Sequence, residues 1–244
     1  MNLMAAVLML ALVPAPIAPE LVALGDSYAA GTGASRDSCD RSSNAYGALY
    51  AKQIHASFVM AACSGATAKS VESQLKSITP AATLVTLTVG GNDIGFADVM
   101  TTCTLQSEKS CLKAVDKANK LTAETLPGRL DRLYSKLRAT TPAKVVVLGY
   151  PHLFEPTGAC SLSKAERAAL NSAADRLNAV IEARSLAAGF TFGDVRTTFA
   201  GHGLCGPSPW INGVKFPVIS SYHPNAKGQR LGYLPVLAAA RSLS

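Results

Sequence analysis

Residues 21–27 read Leu-Val-Ala-Leu-Gly-Asp-Ser, four apolar residues running straight into a turn tripeptide. A strand buried on both faces shows no polar alternation. A short unbroken apolar run closed by glycine therefore predicts a strand–turn junction in a parallel sheet. The same pattern recurs downstream. Residues 57–61 (SFVMA) lead into Cys63-Ser64-Gly65, residues 84–89 (LVTLTV) into Gly90-Gly91-Asn92-Asp93, and residues 144–148 (KVVVL) into Gly149-Tyr150-Pro151. Residues 190–192 add a short fifth strand. Helical stretches separate these runs: 44–55, 68–77, and 110–139, where Pro127 breaks or restarts the helix. Ser163-Lys-Ala-Glu166 has capping-box spacing, and Leu170, Ala174, Leu177 and Ile181 follow at helical intervals. A last helix is expected over 226–241, after Pro224. Strands alternating with helices predict an α/β fold, a parallel sheet covered on both faces.

In such sheets ligands bind beyond the carboxyl ends of the strands. The turns after the first three strands, Gly25-Asp26-Ser27, Cys63-Ser64-Gly65 and Gly91-Asn92-Asp93, are therefore expected to meet on one edge.

The 244 residues are 48% hydrophobic and 16% charged, ample apolar material for a core. No repeat or linker divides them, so residues 19–244 are expected to form a single domain. The formal charge is +7, but there is no Lys/Arg-dense run, zinc-finger spacing or aromatic–basic interleaving, which argues against nucleic acid as a partner. A basic surface fits transient contact with anionic lipid interfaces and simple solubility equally well. Residues 3–13 are apolar and are followed by Ala15-Pro-Ile-Ala18; the run is too short to span a bilayer and predicts a signal peptide over residues 1–18, hence export. Six cysteines (39, 63, 103, 111, 160 and 205), without a Cys-x-x-Cys pair or Cys/His cluster, suit disulfides in an oxidising compartment. Their spacing leaves fifteen connectivities open.

A serine hydroxyl becomes a useful nucleophile once a neighbouring base takes its proton. Ser27 lies just after a strand, at a helix start; taken alone it reads equally as a helix N-cap. Of the four histidines, His55 falls within a helical stretch, while His152 and His202 lie in loops. His223 stands in Ser220-Ser-Tyr-His223-Pro224, where Pro224 suits a helix start and leaves the imidazole on a loop near the catalytic edge. Gly65 offers a backbone N–H, and Asn92 a side-chain amide, for an oxyanion.

Gly25-Asp26-Ser27-Tyr28, Gly65, Gly90-Gly91-Asn92-Asp93 and Ser220-x-x-His223-Pro224 occur in the order and spacing of the SGNH (GDSL) hydrolases, over about 200 residues. The string Val22-Ala-Leu-Gly-Asp-Ser-Tyr-Ala29, with the six cysteines, resembles the secreted actinobacterial lipases, phospholipases and esterases of that family. The resemblance implies a flavodoxin-like three-layer α/β/α sandwich around a five-stranded parallel sheet, with loops clipped by Cys39–Cys63, Cys103–Cys111 and Cys160–Cys205. It implies a serine mechanism without metal or cofactor. In it Ser27 attacks, His223 is the general base, and the amides of Ser27 and Gly65 with the Asn92 side chain hold the oxyanion. The family often carries Asp three residues before the histidine, where this chain has Ser220. The main-chain carbonyl of Ser220, or that of Ser221, is expected to orient the ring instead.

The expected reaction is hydrolysis of fatty-acyl esters, lipase- or phospholipase-like, by a secreted monomer. A carbohydrate or small-acyl esterase and an acyltransferase are the alternatives, and a non-catalytic binding protein a remote one. No lid-like insertion stands out. Ala29, Ala30, Gly31 and Gly33 are expected to leave room for an acyl chain, and the loops around 96–100 and 204–216, with Trp210 and Phe216, to wall it.

Overall fold

The computed structural model describes residues 19–34 and 38–242; the leader expected over 1–18 lies outside them. Five strands, β1 (Glu20–Gly25), β2 (Ser57–Met60), β3 (Ala82–Thr88), β4 (Lys144–Leu148) and β5 (Thr191–Gly193), form one sheet in the order β2-β1-β3-β4-β5. All four pairings are parallel. This is the flavodoxin-like doubly wound order, whose switch point lies between β1 and β3.

The helices are α1 (Ser27–Ala30), α2 (Tyr46–Gln53), α3 (Ala68–Val71), α4 (Phe96–Leu105), α5 (Glu108–Glu124), α6 (Leu126–Thr140), α7 (Lys164–Ala187) and α8 (Leu234–Ser242). Helices α2 and α8 cover one face of the sheet, while α3, α6 and α7, with α5 behind them, cover the other. With both faces covered, Leu21–Leu24 of β1 and Val145–Leu148 of β4 are wholly buried, which accounts for their unbroken apolar runs. Ser163 and Glu166 form the capping box that opens α7.

As expected, the helical stretch restarts at Pro127, which sits in the first turn of α6, where its missing N–H costs nothing. One element differs from expectation. Residues 96–100, expected to be loop, are the first half of helix α4. Phe96, Val99, Met100 and Cys103 carry the i, i+3, i+4, i+7 spacing of a helix face, a signal present in the sequence.

Three disulfides, Cys39–Cys63, Cys103–Cys111 and Cys160–Cys205, fasten the loops. Among the described residues, no helix is long and apolar enough to cross a membrane.

Candidate active site

The turn after β1 is built around Gly25. Its φ is +122°, and a Cβ there would stand 2.2 Å from the Thr88 carbonyl oxygen, so only glycine lets β1 run this close to β3. Gln74 clamps the same residue, accepting from its N–H (2.8 Å) and donating to its carbonyl (3.0 Å). Asp26 then caps α1, its side chain accepting from the Tyr28 N–H at 2.9 Å, which leaves Ser27 as the first helical residue.

Ser27 is buried, and its Oγ lies 2.7 Å from Nε2 of His223, 196 residues away. The other ring nitrogen, Nδ1, lies 2.8 Å from the Ser221 carbonyl. A carbonyl only accepts, so Nδ1 carries the proton and the Nε2 lone pair faces the Ser27 hydroxyl.

The expectation for Ser220 is corrected. Its carbonyl turns away and accepts from Nδ2 of Asn212 at 3.2 Å. The reason is local: Ser221 is extended and Tyr222 is left-handed (φ +61°), which swings the Ser221 carbonyl back under the ring two residues on. Asn212 holds the loop further, exchanging backbone bonds with Tyr222 and His223 and donating to the Gly33 carbonyl. The Tyr28 hydroxyl donates to the Tyr222 carbonyl at 2.7 Å.

Burial pushes the His223 ring down to about 4, partly offset by the Ser221 carbonyl, so the imidazole is neutral at ordinary pH. Burial pushes Asp26 up to about 7, opposed by the bonds it accepts from Tyr150 and Tyr28.

Gly65 has φ +79°, and a Cβ there would meet nothing within 4 Å. It thus faces open space. Among the described residues its amide has no backbone acceptor, whereas its neighbours' amides are engaged: Ser64 with the Cys39 carbonyl, Ala66 with that of Cys63. Asn92 opens the turn after β3, and its Nδ2 donates to the Ala66 carbonyl at 2.9 Å, leaving a second N–H for another acceptor. One residue on, Asp93 accepts from the Ala68 amide (2.8 Å) and pairs with Arg129 (3.1 Å). The Gly65 and Asn92 turns are therefore tied by two adjacent bonds.

Tyr150, named in the sequence only as part of the turn after β4, links the first and third turns. Its oxygen accepts from the Gly91 N–H at 3.0 Å and donates to Asp26 Oδ2 at 2.5 Å. Asn178 of α7 holds the Tyr150 backbone on both sides, accepting from its N–H and donating to its carbonyl. The available signal was position, since Tyr150 follows a strand on the same sheet edge.

A narrow cleft with an interior volume of about 60 Å³ includes Ser27 and Asn92 in its wall. The rest is mainly apolar: Phe96 and Val99 of α4, Val115 and Ala118 of α5, Leu170 and Leu177 of α7. This differs from the acyl site expected beside the serine. Ala29 and Ala30 are buried in the core, and Gly31 packs on Ala45. A Cβ on Gly33 would come within 2.9 Å of the His223 Cβ. These small residues allow close packing under the site instead of leaving space in it.

Trp210 stacks on His202 (ring centroids 3.5 Å apart) and packs edge-on to Phe199, away from the cleft. His152 pairs with Asp175 at 2.7 Å, in a network that also holds Arg196 and Asp194. Phe216 points into solvent.

Comparison with known proteins gives this geometry its family. The GDSL-like lipase/acylhydrolase family model matches residues 23–231. A lipase of Streptomyces rimosus is 49% identical over 233 residues, covering 91% of this chain and 87% of the relative. The crystal structure of an extracellular lipase from S. rimosus superposes with a TM-score of 0.88 at 49% identity, covering 91% of this chain and all of the other. A phospholipase A1 from Streptomyces albidoflavus gives 0.88 at 47% identity, covering 91% and 99%. An acetylxylan esterase from Geobacillus stearothermophilus, 14% identical with a TM-score of 0.60, shares the fold alone. The chain belongs to the GDSL-like lipase/acylhydrolase family and is a carboxylic ester hydrolase.

Proposed function

We propose that the enzyme hydrolyses fatty-acyl esters through an acyl-enzyme on Ser27, with His223 as the base. One observation carries the proposal: the Ser27 hydroxyl meets the unprotonated nitrogen of His223 at 2.7 Å in the wall of a mainly apolar cleft.

As Ser27 Oγ bonds to the acyl carbon, its proton passes to His223 Nε2. The carbonyl oxygen becomes an oxyanion, held by the Ser27 and Gly65 amides and the second N–H of Asn92, each such donor being worth about 3 kcal/mol. His223 then protonates the departing alcohol. Water, deprotonated by the same ring, attacks the acyl-enzyme, and the returning proton restores Ser27. The Ser221 carbonyl fixes the tautomer throughout but offers the imidazolium less charge than a carboxylate would, so the pair works as a dyad with a polar assistant.

The cleft walls supplied by α4, α5 and α7 suit an alkyl chain better than a sugar. A lipase and a phospholipase A1 that this chain resembles at 49% and 47% identity support the same reading. Export fits the three disulfides, the apolar residues 1–18 and the extracellular description of the S. rimosus lipase. Residues 19–244 would then be the mature single domain, acting as a monomer.

The test is a series of p-nitrophenyl esters of rising chain length, followed by triglyceride and phosphatidylcholine, run on the parent protein and on Ser27→Ala. Turnover should rise beyond acetate, extend to lipid and disappear in Ser27→Ala. A sharp optimum at acetate without lipid turnover overturns the fatty-acyl reading, and an active Ser27→Ala overturns the mechanism.

A further inference from the structure

Seven large apolar side chains are exposed among the described residues, and their placement is uneven. Four fall within six residues: Val214 (64% exposed), Phe216 (91%), Val218 (62%) and Ile219 (43%). This run ends two residues before Ser221, whose carbonyl orients His223. A fifth, Leu105 (76%), ends α4 beside Thr104, whose hydroxyl lies 2.7 Å from the Tyr222 hydroxyl. Five of the seven therefore adjoin the histidine loop. Scattered exposed leucines are ordinary, but an apolar cluster beside a reactive site marks a surface that something covers.

The segment is built rather than loose. Ser221 Oγ accepts from the Lys215 N–H at 3.0 Å and donates to its carbonyl at 3.3 Å, while the Ser220 and Ser221 amides donate back to the Pro217 and Val218 carbonyls. The hydrogen-bonded turn holds the apolar side chains outward, and Lys215 lies among them.

We propose that residues 214–219, with Leu105, form the surface by which this enzyme seats on an anionic phospholipid bilayer. The inference rests on the fatty-acyl reading above, because esters of long acyl chains exist in water chiefly as aggregates. Apolar side chains entering the headgroup–acyl boundary contribute the non-polar part of such binding. Lys215 and the formal charge of +7 select a negative surface.

The experiment uses co-sedimentation of the Ser27→Ala protein, which leaves the lipid intact, with vesicles of phosphatidylglycerol and phosphatidylcholine. Phe216→Ser/Val218→Ser introduced into this background should lower partitioning at least tenfold, and Phe216→Ser alone should lower it by an intermediate amount. In the Ser27 protein, the same changes should leave turnover of soluble p-nitrophenyl butyrate within twofold. Lys215→Glu should weaken binding to phosphatidylglycerol-containing vesicles but not to pure phosphatidylcholine.

Unchanged partitioning of the double variant overturns the proposal, as does an equal loss of butyrate turnover, which would make the segment part of the fold or the cleft. Loss of a dimer on size exclusion would make this face a contact between copies and also overturns it. If the parent protein ignores vesicles yet prefers long soluble esters, the docking surface fails while the fatty-acyl reading survives.

Discussion

Tyr150→Phe removes one oxygen atom and leaves the ring. That oxygen joins the Gly91 amide of the third turn (3.0 Å) to the Asp26 carboxyl of the first (2.5 Å), and all three residues are buried. The phenyl ring should keep its edge-on contact with Tyr28, at a centroid distance of 5.0 Å, so little packing is lost. Leaving a buried donor unpaired costs about 1–3 kcal/mol, and the carboxyl loses one donor in the same step. We expect a stability loss of about 2–4 kcal/mol, read by urea unfolding. The catalytic consequence is separate. The Ser27 turn and the Asn92 turn lose their direct tie, so nucleophile and oxyanion donor drift in relative position. A fall in kcat of about 10- to 100-fold corresponds to about 1.4–2.7 kcal/mol, while KM should change little because the apolar walls remain. A variant that unfolds within about 0.5 kcal/mol of the parent with unchanged kcat would refute the idea that this oxygen sets the spacing of the site.

Ser220→Ala should cost less than about twofold in kcat/KM, whereas His223→Ala should cost more than about 1,000-fold, because the ring is oriented by the Ser221 carbonyl and not by the Ser220 side chain. Ala118→Leu narrows the cleft between α4, α5 and α7, so the chain-length optimum of p-nitrophenyl ester hydrolysis should move to shorter acyl groups with butyrate turnover kept. An unmoved optimum would place the acyl chain elsewhere. His223, neutral down to about pH 4, should give a kcat/KM that holds through pH 5 and falls below about 4 as the lone pair is protonated. The same lowered value means its contribution to stability is present above about pH 6.5 and is lost as pH falls through 4. Asp26 has the opposite sign. Raised to about 7, its contribution is complete below its ordinary value and is lost as pH rises through 7. Melting temperatures from pH 4 to 7 should therefore fall for the parent relative to Asp26→Asn; parallel curves would count against a buried, protonated Asp26.

The parallel α/β fold was readable because its cues are local. Runs such as Leu21–Leu24 and Val145–Leu148 are apolar throughout because both sheet faces are covered, and each ends at a glycine turn on the same edge. That rule alone puts Ser27, Gly65 and Asn92 in turns expected on the same sheet edge. The helical spacing of Phe96, Val99, Met100 and Cys103 marks α4 equally well, although its first half lies where a loop is expected. Other features carry no local cue. Which carbonyl faces His223 depends on the left-handed turn at Tyr222, a backbone state that Tyr rarely adopts. The joining role of Tyr150 depends on β4 lying next to β3 in the sheet. The cleft lies between helices far apart in sequence, whereas Gly31 and Gly33, which by size alone suggested space, are filled by Ala45 and by His223 with Asn212. Strand, turn and residue chemistry follow from neighbours a few positions away, and the amino-acid order determines them. Hydrogen-bond partners and cavities arise where distant segments exclude one another's volume, and only the folded chain decides them.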